Sequence, residues 1–335
     1  MKRFIISLIM VMFAFGLSAQ EVVKIGIIGL DTSHSTAFTK LINSSKESWA
    51  EGYRVVAAYP YGTQAIKSAY KRIPKYTEEV KEYGVEIVGS IEELIDKVDC
   101  VLLETNDGNL HLEQAAAVFK AGKPCFIDKP LAATLGQAMA IYELADRYGV
   151  KIFSSSTLRF TPRNQEIRAG KEGKVKGADC YSPHTPEPTH PDYGFYGIHG
   201  IETLYTVMGT GCEAVCCMAT KKDHVVVGEW SDGRIGTFRA FLDGTQLYGG
   251  TVYTKQEAVA AGGYEGYEDL LREVLQFFKT GVAPVSREET LEIFAFMRAA
   301  NMSAKRGGNK VSLRDAYRAG EKEAEKLLKP YTLEE

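Results

Sequence analysis

The sequence predicts an α/β protein in two parts: an N-terminal parallel sheet crossed by helices, then a C-terminal α/β half built on an open, mainly antiparallel sheet. Three observations predict it. From Val22 to Ile152, short apolar runs (VVKIGIIGL, YRVVAAY, VEIVGS, DCVLLET, PCFIDKP, VKIFSSS) alternate with amphipathic stretches, as in strands joined by crossover helices. After Arg159 the runs CEAVCCMAT, HVVVGEW, GRIGTFRAFL and TQLYGGTVY succeed one another with turn signals such as Asp232-Gly233 between them, as in antiparallel pairing. At 335 residues, 45% hydrophobic and 25% charged, the chain is long enough for two cores.

The first element is not part of either half. Lys2 and Arg3 precede an uncharged apolar run from Phe4 to Leu17, followed by Ser18 and Ala19, which reads as a signal peptide over residues 1–19. The run is shorter than the roughly 20 residues of a spanning helix. No Cys follows it and no Arg-Arg pair precedes it, which points away from a lipoprotein and from twin-arginine export. The expectation is an exported, periplasmic protein with a Rossmann-type domain over 20–152 and a second domain over 153–335, whose last helices can pack back on the first.

Cleavage removes two cations and no acid, so the mature chain is more acidic than the formal −3 of the full sequence. A mildly acidic body without a basic stripe points away from nucleic acid. Six cysteines are too few for a disulfide scaffold, and none has zinc-ribbon spacing. Cys100 and Cys125 lie in apolar strand-like runs and read as buried thiols, and Cys216 and Cys217 point to opposite faces of one strand. His184, His190 and His199 with Glu187 have no compact ligand spacing, so no metal is expected.

Chemistry begins where the first strand ends, in Gly26-Ile27-Ile28-Gly29-Leu30-Asp31-Thr32-Ser33-His34 before a helix-like AFTKLINSS. A dinucleotide fingerprint GxGxxG would place Gly at 31 and 34, so that bare backbone and a helix N-terminus meet the pyrophosphate. Asp31 and His34 stand there instead. Asp31, Thr32 or Ser33 can cap the helix, and Asp31 or His34 can contact a ligand. The second strand ends in Tyr59-Pro60-Tyr61 rather than in the acid that receives an NAD ribose, and no Arg adjoins for a 2′-phosphate, so NAD and NADP both stay open.

A set of signatures then follows in order: Thr105-Asn106 with His111, Phe126-Ile127-Asp128-Lys129-Pro130-Leu131, Arg159-Phe160-Thr161-Pro162, and Gly197-Ile198-His199-Gly200-Ile201-Glu202. Together they resemble the Gfo/Idh/MocA oxidoreductases, with Asp128 for Glu in the Glu-Lys-Pro motif and Glu202 for Asp in the His-x-x-Asp helix. The resemblance implies cofactor contacts at Gly29, Leu30, Asp31, Thr32, Ser33, Thr105, Asn106, His111, Asp128 and Lys129. It implies substrate positioning by Lys129 and acid/base work by His199, with Glu202 to orient the imidazole or contact substrate. The Asp that many family members carry four residues before this His is Phe195 here.

On a helical wheel, Ile201, Leu204, Tyr205 and Met208 form an apolar stripe, while His199, Glu202 and Thr206 gather opposite, facing water or a cleft. Arg159 from the domain-opening motif, with Tyr193, Tyr196 and His184 from the Pro- and aromatic-rich segment before that helix, is expected to line a wall for a polyhydroxylated ligand. The implied function is NAD(P)-dependent hydride transfer at a hydroxyl or keto carbon of a sugar or polyol, with a tightly held cofactor. A redox-assisted glycosidase or lyase and a non-catalytic sugar-binding descendant are the alternatives. The partners expected are a small carbohydrate and, through the open sheet, another copy of the chain.

Overall fold

The computed structural model describes residues 22–331; the signal-peptide reading lies outside them. Six strands, β1 (Val23–Ile28), β2 (Tyr53–Tyr59), β3 (Glu86–Ile87), β4 (Cys100–Leu103), β5 (Cys125–Ile127) and β6 (Ile152–Phe153), form one parallel sheet in the order β3-β2-β1-β4-β5-β6. This is the strand order of a doubly wound dinucleotide-binding fold, whose ligand crevice opens at the carboxyl ends of the central strands, here β1 and β4. β4 and β5 are buried along their length, as strands covered on both faces must be.

Six helices belong to this stretch of chain: α1 (Ser33–Ser44), α2 (Lys67–Tyr70), α3 (Ile73–Lys81), α4 (Ile91–Ile95), α5 (His111–Lys120) and α6 (Leu135–Arg147). Thr32, not Asp31, caps α1, its hydroxyl accepting the His34 N–H at 3.5 Å. Thr134 caps α6 in a reciprocal box with Gln137.

After α7 (Pro162–Arg168) the second sheet begins with β7 (Gly177–Pro183), which runs directly into the loop before α8 (Gly197–Met208). β8 (Cys212–Ala219), β9 (Asp223–Trp230), β10 (Ile235–Phe241), β11 (Gly249–Tyr253), β12 (Ala258–Ala261) and β13 (Val311–Ser312) complete a seven-stranded sheet in the order β12-β11-β7-β10-β9-β8-β13. Every pairing in it is antiparallel except β7 with β10. Burial alternates along β9 and β10, so one face packs under α8 while the other stays solvated.

The last helices tie the halves together. α9 (Glu268–Thr280) lays Leu270, Leu271, Val274, Leu275 and Phe277 on the first sheet among Ile25, Phe126 and Phe153, with the Phe153 and Phe277 rings 5.0 Å apart. α10 (Arg287–Lys305) packs on β8, and α11 (Leu313–Leu327) packs on α6, where Thr134 donates to Glu323 at 2.7 Å. No described helix is long and apolar enough to cross a membrane. All six cysteines are free thiols.

Candidate functional site

The β1–α1 turn is tight because Gly29 has φ of +92°, and a Cβ there would come within 2.5 Å of the Thr105 backbone. Beyond β1 the pairing with β2 continues: the Gly29 and Leu30 amides donate to the Tyr59 and Pro60 carbonyls at 2.8 and 3.0 Å. Asp31 turns inward, accepting the Asn106 N–H at 2.9 Å, and its other oxygen sits where a Cβ on Gly62 would fall. Burial raises its pKa to about 6 against the backbone hydrogen bonds that favour the carboxylate. Gly29, Leu30 and Asp31, expected at the cofactor, are therefore taken up by the protein's own hydrogen bonds.

What remains open at the α1 N-terminus is Thr32, Ser33 and His34. These residues border a pocket of about 310 Å³ with Arg72, Asn106, Lys129, Thr157, Leu158, Tyr196, His199, Tyr248, Tyr264 and Tyr267. The lining carries two cationic side chains, four tyrosines and no carboxylate.

Lys129 reaches the pocket from the end of β5, its ammonium 5.9 Å from the centre of the Tyr196 ring. His199 enters from the first turn of α8, 8% exposed, with Nδ1 2.7 Å from the Ser156 hydroxyl and its ring edge-on to Tyr248. Burial, then the charges of Lys129 and His34, hold its pKa well below the usual 6.5. The imidazole is neutral near neutral pH, held at Nδ1 with Nε2 left for a ligand. Tyr196, the residue before α8, has φ of +69°, a left-handed conformation costly for a bulky side chain and of the kind that clusters at functional sites.

Under the pocket lies a buried polar floor. His34 Nδ1 stands 2.8 Å from Asp128 Oδ2. Burial works to raise the Asp128 pKa, but His34 and Lys129 outweigh it and leave it lowered. Glu104, at the end of β4, is 0% exposed, and burial together with the Asp128 charge raises its pKa well above the usual carboxylate range.

Several expected site residues serve the framework instead. Glu202 does not orient the His199 ring and does not reach the pocket; Ser156 takes that place. Glu202 accepts from Arg159 Nε at 2.5 Å and from the Ser155 hydroxyl at 2.9 Å. Arg159, 1% exposed, does not face the pocket, because its guanidinium also donates to Glu289 at 2.7 Å. The expected polar face of α8 is thus divided between cleft and interior, and every residue of the helix is buried.

His111 is enclosed, with one ring nitrogen 2.6 Å from the Thr105 carbonyl and the other 3.0 Å from that of Leu131. Thr105 and Asp128 are likewise buried behind the wall. Tyr193 and His184 lie in a different cavity, of about 500 Å³, where the Tyr193 hydroxyl is 2.7 Å from His224 Nδ1 and the His184 ring packs on Tyr193. Thr32, Ser33, Asn106, Lys129, Tyr196 and His199 are the expected residues that meet in one pocket. Arg72, Tyr248, Tyr264 and Tyr267 in the pocket wall, and Ser156 behind His199, carry no motif and are not expected from the sequence.

A family model described as "Oxidoreductase family, NAD-binding Rossmann fold" matches residues 23–156, from the start of β1 to the Ser156 that meets His199. This stretch matches the NAD-binding domain of the Gfo/Idh/MocA oxidoreductases. An inositol 2-dehydrogenase of Cereibacter sphaeroides is 38% identical over 76 residues, 23% of this chain and 22% of that protein. A myo-inositol dehydrogenase of Streptomyces leeuwenhoekii is 27% identical over 121 residues, 35% of this chain and 37% of that one. The chain thus spans about a fifth to a third of the curated relatives it matches.

Likeness of fold runs further. The structure of GenD2 from gentamicin A biosynthesis in complex with NAD superposes with a TM-score of 0.71 at 16% identity, over 87% of this chain and 96% of that one. The scyllo-inositol dehydrogenase from Lactobacillus casei with bound NAD(H) and scyllo-inositol does so at 0.67 and 13% identity, over 88% and 100%. The residues at one edge of this domain's turn fit a pyrophosphate. Asp31 points away from the crevice, while the α1 N-terminus, the Thr32 and Ser33 side chains and the Arg72 guanidinium offer donors and positive charge for a pyrophosphate.

Proposed function

We propose that the protein is an exported NAD-dependent oxidoreductase that transfers hydride at a hydroxyl-bearing carbon of a polyol or sugar. The observation that carries this reading is the convergence of Lys129, His199 and the α1 N-terminus on one pocket without a carboxylate in its wall. When bound, the nicotinamide supplies the hydride acceptor.

The chain's own residues do the rest. The Lys129 ammonium orients the reacting oxygen and stabilises negative charge on it as the proton departs. His199 Nε2, neutral because the ring is buried beside Lys129, accepts that hydroxyl proton during oxidation and returns it during reduction. Ser156 fixes the ring through Nδ1. Tyr196, Tyr248, Tyr264 and Tyr267 offer ring faces to the C–H side of a polyol and hydroxyls to its oxygens.

The inositol dehydrogenases among the relatives support a cyclic polyol as the first substrate to try. Export is supported by the N-terminal charge and apolar pattern, and N-terminal sequencing of protein from the periplasmic fraction tests it. The reaction is tested by denaturing natively purified protein and analysing the released small molecules by mass spectrometry, then by titrating NAD(H) and NADP(H) and assaying inositols and hexoses. The expected result is NAD(H), bound or bindable, and substrate-dependent reduction of it. Protein that carries neither dinucleotide and binds neither overturns the proposal.

A further inference from the structure

We infer that His34, Glu104 and Asp128 form a binding site for one divalent transition-metal ion, Zn²⁺ or Mn²⁺, in the floor beneath the Lys129 pocket. The three residues come from the first turn of α1 and the ends of β4 and β5, so the topology of the parallel sheet delivers them to one point. One potential ligand atom from each lies within 4.8 Å of the other two, and all three side chains are buried.

A close imidazole–carboxylate contact accounts for part of this group. His34 Nδ1 and Asp128 Oδ2 stand 2.8 Å apart, yet His34 Nδ1 makes no hydrogen bond of good geometry. Glu104 is the observation that an ion pair leaves unexplained. It is 0% exposed, both its carboxylate oxygens lack any hydrogen-bond partner, and Asp128 Oδ1 beside it lacks one too. Buried polar atoms almost always find partners, and an uncompensated buried carboxylate is costly.

A proton on Glu104 does not resolve the whole deficit, because it serves one contact while both Glu104 oxygens, Asp128 Oδ1 and His34 Nδ1 all lack a hydrogen-bond partner. A divalent cation does. It would accept lone pairs from Glu104, Asp128 and a His34 ring nitrogen, and balance the negative charge that Asp31 adds nearby. One imidazole and two carboxylates are borderline-to-hard donors, a set that suits Zn²⁺ or Mn²⁺ over Cu⁺, which prefers sulfur. Asp31 and His34, the two departures from the glycine fingerprint, then have a common reason: the turn is built around buried charge at the strand ends.

The test uses the full mature chain. Metal content is measured on protein purified without chelator; the protein is then stripped with EDTA and titrated calorimetrically with ZnCl₂ and with MnCl₂. The expected result is one equivalent per chain for at least one of the two ions, a melting temperature several degrees higher with metal than without, and at least a tenfold loss of affinity in Glu104→Gln and in Asp128→Asn. The wild-type titration stands even if a variant fails to fold. Absence of stoichiometric binding of both ions overturns the site. So does one equivalent bound equally well by wild type and Glu104→Gln, which would move the ion to another cluster, such as the His184, His190 and His224 cavity.

Discussion

Two charged constellations lie close together and follow opposite rules. Arg159 and Glu202 are buried and paired with each other: the guanidinium spans two carboxylates, and Glu202 takes a second donor from Ser155. Lys129 and His199 sit at the same domain junction, yet the ammonium makes no ion pair among the described residues and the imidazole spends one nitrogen on Ser156. Adjacent serines divide the labour, Ser155 holding the interior pair and Ser156 the pocket residue. Charge neutralised by ion pairs inside the protein holds the fold; charge without an ionic partner at a cavity is available to a ligand.

The sharpest way to break this contrast is to remove one cation from each side. Lys129→Met is expected to lower turnover about a thousandfold, the scale of losing a preorganised charge at the reacting atom, with the urea midpoint unchanged. Arg159→Met is expected to cost about 3–5 kcal/mol of stability, read from urea unfolding, because it strands Glu202 and Glu289. Replacing Glu202 by Met in the same chain should return part of that loss; a further equal loss would contradict the pairing.

Ser156→Ala sharpens the contrast within the pocket. Turnover should fall about tenfold with little change in KM, and the pH profile of kcat should shift as the ring loses its fixed tautomer. Tyr196→Asn is a smaller perturbation, relieving a left-handed backbone that Asn tolerates at a gain of about 1 kcal/mol, while KM rises several-fold through the lost ring.

The remaining expectation concerns pH. Burial lowers the His184 pKa from 6.5 to about 4, so the unfolded chain binds this proton at a higher pH than the folded one. The neutral ring's contribution is complete above pH 6.5 and is lost as pH falls toward 4. Melting temperature should drop across that window, and His184→Asn should flatten the drop.

The parallel first sheet, the mainly antiparallel second one, and Lys129 and His199 were legible, because alternation of short apolar runs and the order of motifs are properties of the chain itself. Glu202 was not legible. Three residues on a helix differ by roughly 60° in direction, so a wheel places His199 and Glu202 on one face. In a helix buried on all sides, the same rotation is enough to send one into a cavity and the other into the interior. Asp31 shows a second limit: its identity announces an acid at the turn, but the side-chain direction depends on the Asn106 amide and the room left at Gly62. Arg72, Tyr248, Tyr264 and Tyr267 come from segments far apart in the chain, and convergence of that kind leaves no local pattern to read.

The docking of α9 has a consequence for how the protein is made. Phe126 and Phe153 belong to the stretch that matches the family, but the ring that covers Phe153 is Phe277, and the layer over that part of the sheet is completed by residues 268–280. A nascent chain that has emerged only as far as residue 156 carries an unfinished hydrophobic surface, and its first domain must wait for a helix made near the end of synthesis. The domain boundary in sequence is therefore not a boundary in folding, and a fragment cut there is expected to self-associate in sedimentation rather than stand as a monomer.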